Sequence, residues 1–256
     1  MKGSVNVLKI DTDLHTHTVA SGHAYSTVDE MAKGAFTKGI KLIAVTDHGP
    51  QMPGGPHIYH FGNFSIVPDK LYGVRIIKGV EANILDEGKL DLAAEELERL
   101  EFVSAGIHRL TGHNLKNKKD YTEATIRAME NPHLDMITHP VQREYPLDLE
   151  RVARAAAENN VILELNASSY SPKKDHTRGI KSESLRLLKL AKKYGFKLAV
   201  NSDAHFHDEI GEYSSLNFIF ESEDFDRNLI LNRSQKSVIN YLKKREERLS
   251  ELKKTV

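Results

Sequence analysis

The sequence predicts an α/β fold built as a barrel, and two observations carry that prediction. Short apolar runs of strand length alternate with amphipathic stretches along most of the 256 residues. Those runs are continuously apolar rather than alternating, as in parallel strands covered on both faces.

The elements follow in order. "VNVLKIDTDLHTHT" carries a first strand ending near Leu14. Thr27 and Glu30 form a capping box for the first helix, and Gly39 sits where it stops. "KLIAVTDHG", "VRIIKGVEANI", "FVSAGIH" and "LDMITHP" are the second to fifth strands. "DLERVARAAAENN" is a helix with Val152, Ala155 and Ala156 on one face. "VILELNASS" is the sixth strand. "SESLRLLKLAKKYG" is a helix closed by Gly195, and "KLAVNSDAH" is the seventh strand. "GEYSSLNFIFES" reads equally as helix or strand. "SQKSVINYLKKREERLSELKK" is a terminal helix whose interspersed Glu residues mark a solvated face. We expect one barrel domain over residues 1–256, with 206–256 as a C-terminal helical closing segment.

Composition bounds the function. Thirty-six basic residues balance 36 acidic ones, so the total shows no basic excess for non-specific nucleic-acid binding. There is no cysteine, so any metal is held by nitrogen and oxygen. "MKGSVNVLKI" has no apolar segment of signal-peptide length, and no apolar run is long enough to span a membrane. The expectation is a cytoplasmic protein.

The informative residues stand at the strand ends. His15 and His17 follow the first strand, with His23 in the loop beyond. His48 ends the second, Glu81 the third, His108 the fourth and His139 the fifth. Asp203 and His205 end the seventh. These nine residues include seven of the 13 histidines, and all fall at the end where barrel enzymes build their sites. A single strand-end histidine is usually an ordinary polar residue; nine at the same end of successive strands are not independent accidents. Asn166, Ser168 and Ser169 end the sixth strand, which alone delivers no such ligand. His113, His133, His176 and His207 lack this placement and read as surface residues.

The segments "DLHTHTVASGHAYST", "KLIAVTDHGP", "GVEANI", "AGIH", "MITHP", "LELNASS" and "NSDAH" resemble the PHP (polymerase and histidinol phosphatase) family, most closely its stand-alone YcdX-type phosphatase branch. That resemblance implies a distorted (β/α)7 TIM-like barrel, the PHP fold, with three divalent metal ions. It implies that His15, His17, Glu81 and Asp203 hold one ion. Glu81, His108 and His139 hold a second, with Glu81 bridging, and His23, His48 and His205 hold a third. Imidazole and carboxylate donors suit zinc first, with manganese or iron as alternatives.

The expected activity is that of a metal-dependent phosphatase acting on a small phosphorylated substrate. A metal-bound hydroxide in a trinuclear site would attack a phosphomonoester, with Glu81 and Asp203 serving its generation and no protein nucleophile. Asp47 is a candidate for orienting a ligand. His57, Tyr59 and His60, in the Gly- and Pro-rich loop after the second strand, are candidate substrate contacts. So are Arg109 and Arg143, by pairing with phosphate oxygens. The competing readings are a histidinol-phosphate phosphatase, a nucleotide phosphatase or nuclease, and a non-catalytic metal-binding domain.

Overall fold

A computed structural model of the chain describes residues 9–170 and 180–254. His176 lies outside the described residues. The elements run β1 (Thr12–Thr16), α1 (Val28–Thr37), β2 (Leu42–Val45), α2 (Tyr59–Gly62), β3 (Lys70–Leu71), β4 (Val74–Asn83), α3 (Ala94–Glu98) and β5 (Phe102–Gly106). They continue with α4 (Lys118–Ala128), β6 (Met136–Ile137), α5 (Leu149–Asn159), β7 (Ile162–Asn166), α6 (Ile180–Tyr194), β8 (Leu198–Asn201), α7 (Asn217–Phe220) and α8 (Gln235–Lys254).

Seven parallel strands lie in the order β1-β2-β4-β5-β6-β7-β8, and β3 adds a short antiparallel pair to β4. A single parallel bridge, Thr16 to Ala204, brings the end of β8 back to β1, so the sheet is nearly closed. This is the distorted (β/α)7 barrel expected. The seven strands read as continuously apolar are those of the barrel, though most are shorter than their apolar runs. The first is displaced: it continues through His15 to Thr16 instead of ending near Leu14.

Two apolar layers hold the barrel. Inside it, Leu14, Leu42, Ile77, Phe102, Met136, Ile162 and Ala199 pack together, one from each strand. Outside it, residues such as Ile43, Ile76 and Val103 pack against Met31 of α1 and Leu187 and Leu188 of α6. Val238 of α8 joins the interior layer, so this helix covers the end from which the strands start. The charged stretch of α8 is only partly solvated. Arg245 is buried against Asp135, which immediately precedes β6. No helix among the described residues is long and apolar enough to cross a membrane.

The capping box at α1 forms as expected. Thr27 N–H donates to Glu30 Oε2 at 2.7 Å, and Glu30 N–H donates to Thr27 Oγ1 at 3.3 Å. Thr27→Ala removes one of these acceptors and is expected to lower Tm by about 2–4 °C, read by thermal denaturation. Gly39 and Gly195 follow α1 and α6 with φ of 73° and 82°, the left-handed conformation that ends a helix most cheaply in glycine. The ambiguous "GEYSSLNFIFES" segment is helical, containing α7. Helix α4 has no strong apolar period, because its buried positions are the small residues Thr122, Ala124, Thr125 and Ala128.

Candidate metal centre

Eight of the nine strand-end residues form one cluster, with the Glu81 carboxylate at its middle. Glu81 closes β4 and is fully buried. Its Oε1 stands 3.0 Å from His139 Nε2 and 3.2 Å from His108 Nε2. Its Oε2 stands 2.9 Å from His48 Nδ1, 3.3 Å from His15 Nε2 and 3.4 Å from His17 Nε2. The two oxygens thus face two different groups of imidazoles. Asp203 Oδ1 lies 3.3 Å from His17 Nε2 and 3.5 Å from both His15 Nε2 and His205 Nδ1. The ninth residue, His23, is more exposed; its ring centroid is 5.0 Å from those of His48 and His205.

The backbone is bent to achieve this. Neighbouring residues in a regular strand face opposite sides. Leu14 points into the barrel interior, yet His15 and His17 reach Glu81 as well. The pairing register of β1 on β2 shifts between Asp13 and Thr16, and this irregularity turns the histidines inward. His139 and Asp203 have φ of 31° and 55°, a costly conformation for residues with a Cβ. Both positions present a side chain to the cluster.

Four imidazoles are fixed from behind. His15 Nδ1 donates to Glu164 Oε1 at 2.8 Å, and His108 Nδ1 to Asn83 Oδ1 at 2.8 Å. His205 Nδ1 donates to the Asp203 carbonyl at 3.0 Å. Ser21 Oγ gives its own hydrogen to Asp47 Oδ1 and so accepts from His17 Nδ1 at 3.0 Å. An oxygen that only accepts, or whose hydrogen is already committed, places the proton on Nδ1 and leaves Nε2 with a bare lone pair. Asp47 is therefore coupled to His17 through Ser21, and it also accepts from Thr18 N–H at 2.7 Å.

Several inward atoms have no hydrogen-bond partner although buried: His15 Nε2, His17 Nε2, His48 Nδ1 and Glu81 Oε2. Each such orphan costs about 1–3 kcal/mol unless something satisfies it. Three sets have ligand atoms all within 4.8 Å of one another: His15, His17 and Asp203; His48, Glu81 and His108; His17, His48 and His205. Orphaned nitrogen and oxygen lone pairs converging at that spacing fit divalent cations.

The charge states agree in most places. Burial opposes ionisation of Glu81, but His15, His108 and His48 hold its carboxyl well below the usual range. Asp203 is likewise held well below: burial opposes its charge, and His15, His17 and His205 together outweigh it. Burial pushes His17 well below the ordinary histidine range and takes His48 down to about 4, so both are neutral donors. His139 is held above the ordinary value by Glu81 against the pull of burial, and His15 departs further. Burial opposes its charge, yet Glu164, Glu81 and Asp203 raise it well above the ordinary value.

The candidate substrate contacts are placed differently. His60 Nε2 faces Asp47 Oδ2 at 3.2 Å, and His57 is exposed beside Tyr59. Arg109 pairs with Glu144 at 3.1 Å on the surface, and Arg143 is exposed. Among the described residues none of the four bonds to the nine. Asn166, at the end of the strand without a ligand, is tied into the site: its amide donates to Glu164 Oε2 and Asp203 Oδ2, and its Oδ1 accepts from Ser169 N–H. His113 is half-buried, not a surface residue, and its Nε2 lies 3.1 Å from the His108 carbonyl. His133 is likewise half-buried, against Arg245.

Sequence reasoning missed Glu164. This buried carboxylate in β7 holds His15 Nδ1, accepts from His139 N–H at 2.7 Å and takes an amide hydrogen of Asn201 at 2.8 Å. Its signal was present: a lone Glu inside "VILELN" must find partners in the barrel.

A family model described as the PHP domain matches residues 13–168. The chain belongs to the PHP family. It is 44% identical over 243 residues to a protein named "Probable phosphatase" from Acetivibrio thermocellus, covering 94% of this chain and 99% of that one. A second so named, from Caldanaerobacter subterraneus, is 42% identical over 250 residues, covering 97% of each. The PHP fold is also seen in histidinol phosphate phosphatase from Lactococcus lactis, solved with zinc, L-histidinol and phosphate. That structure has a TM-score of 0.56 and 19% identity, over 77% of this chain and 87% of that one. A chain of an archaeal ribonuclease P structure with mature tRNA gives a TM-score of 0.57 at 13% identity, over 91% of each. This PHP chain thus has relatives named as phosphatases along nearly its whole length.

Proposed function

We propose that this PHP protein is a metal-dependent phosphatase of small phosphomonoesters. The observation that carries the reading is Glu81, whose two buried oxygens face separate imidazole groups. His15, His17, Glu81 and Asp203 would hold one divalent cation, and Glu81, His108 and His139 a second. His23, His48 and His205 would hold a third, which His17 also approaches. Zinc is the first choice and manganese or iron the alternatives. Such cations, when bound, supply positive charge to phosphate oxygens and lower the pKa of water.

The chain's own part is positioning. Glu164, Asn83, Ser21 and the Asp203 carbonyl hold four imidazoles by Nδ1, so their Nε2 lone pairs are aimed before any substrate arrives. Burial of Glu81 keeps its charge unscreened. Hydrolysis forms a phosphorus–oxygen bond to water and breaks the one to the alcohol, which leaves with a proton. No Ser or Cys nucleophile is required.

A panel on the metal-loaded protein tests the reading. Phosphomonoesters, including histidinol phosphate and mononucleotides, are compared with bis(p-nitrophenyl) phosphate. We expect monoesters to be the better substrates by about a hundredfold or more in kcat/KM. A faster diester would replace this reading with a nuclease-type activity. Glu164→Gln is expected to weaken metal binding by about 10–100-fold, read by competition with a chromogenic chelator. Unchanged affinity would show that Glu164 does not orient His15.

A further inference from the structure

The loops after β8, β1 and β2 form one continuous sector of the barrel mouth. Strands β1 and β2 are paired, and the Thr16–Ala204 bridge joins β8 to β1. The same loops supply His205, His23 and His48, whose rings pack on one another. They also touch. Gly22 and Gly54 approach so closely that neither a Cβ nor any side chain fits at Gly22.

This sector has an unusual surface for a phosphate-handling site. Residues 17–27, 46–69 and 202–216 contain no lysine or arginine. Besides Asp47 and Asp203 they contain Asp69, Asp208, Glu209 and Glu212. They also expose Val19, Tyr25, Ile58, Tyr59, Ile66 and Phe206, with Tyr25 75% and Tyr59 79% accessible. Most large apolar side chains so exposed need a reason when they cluster. Here all but Ile66 stand beside residues of the cluster. Val19 lies two residues past His17, and Tyr25 N–H donates to the His205 carbonyl at 2.9 Å. Phe206 follows His205, and Ile58 and Tyr59 directly precede His60, whose Nε2 faces Asp47.

We propose that this sector receives the leaving group, and that the protein prefers phosphomonoesters of uncharged apolar or aromatic alcohols. The proposal rests on the phosphatase reading above and adds its substrate class. A phosphate drawn to the centre would orient its ester oxygen toward the sector, where an aromatic or alkyl group buries area against Tyr25, Tyr59 and Phe206. A polyhydroxylated group gains little there. A polyanionic one meets Asp208, Glu209 and Glu212, while the cations that touch these loops are already engaged, Lys38 with the Asp208 carbonyl and Arg75 and Lys78 with Asp69.

Benzyl phosphate and glycerol 3-phosphate test this, because both release aliphatic alcohols and differ mainly in polarity. Steady-state kinetics on the metal-loaded protein should give benzyl phosphate the higher kcat/KM by about tenfold or more, carried mainly by KM. Tyr25→Ala and Phe206→Ala should each narrow that ratio through KM. Equal kcat/KM for the two esters, or a ratio that neither variant changes, overturns the sector's role and leaves the phosphatase reading standing. Hydrolysis of neither ester by protein that turns over p-nitrophenyl phosphate overturns this proposal alone, and no turnover of any of the three overturns the phosphatase reading with it. Both side chains are exposed, so folding of the variants is not at risk; matched circular dichroism and metal content confirm it.

Discussion

Replacing Glu81 with alanine is expected to cost about a thousandfold or more in kcat/KM and to lower bound metal. Glu81 faces both the His108–His139 pair and the His15–His17–His48 group. Its loss removes a negative charge and two oxygen donors from the middle of the cluster, leaving cations to the imidazoles and Asp203 alone. Glu81→Gln keeps the shape and one acceptor oxygen, so it separates charge from packing. It should fold with a near-native circular dichroism spectrum and still lose most activity. Metal analysis alongside kinetics decides the matter. A fully loaded Glu81→Ala variant with the wild-type rate would sink the bridging role.

The second large effect lies at the opposite end of the barrel and concerns stability. Arg245 Nε donates to Asp135 Oδ2 at 2.7 Å, and its other nitrogens donate to the Leu100 and His133 carbonyls. Tyr241 hydroxyl and Val103 N–H complete the carboxylate. Arg245 and Asp135 are both buried. Removing one member of such a pair strands the other, at a cost of about 3–5 kcal/mol. For a chain of this size that is roughly 10 °C in Tm. We expect Arg245→Ala to show that loss. Burial already pushes the Asp135 carboxyl up from its usual 3.8, and Arg245 is the largest opposing pull. In the variant the carboxyl rises further. A raised carboxyl stabilises the fold below its unfolded value and loses that contribution as pH rises. The deficit in Arg245→Ala should therefore shrink toward acid pH. A Tm loss under about 2 °C would mean the pair behaves as a surface ion pair.

The contrast between these two ends explains what the sequence made legible. The strands were visible because a barrel strand is apolar on both faces, and each run could be read alone. The nine strand-end residues were visible because the barrel supplies their convergence once the strands are placed. Glu164 signals only that a buried carboxylate needs partners; His15, His139 and Asn201 come from three other strand ends, and no local pattern names them. Arg245 was read as solvated for the same reason: its Lys- and Glu-rich neighbours describe a surface helix, and only the contact with Asp135 buries it. The end of β1 was misplaced because a shift in pairing register leaves no mark in residue type. Arg109 and Arg143 were chosen for charge and chain position, and Arg109 meets Glu144 instead.

The central claim is that the strand-end cluster binds divalent cations and that they are needed to hydrolyse a phosphomonoester. It is tested most directly by phosphate release from p-nitrophenyl phosphate by purified, metal-analysed protein, before and after treatment with a chelator. The account predicts turnover that falls with metal content and returns on adding zinc or manganese. Turnover that persists in metal-free protein, or no turnover at about three ions per chain, would contradict it.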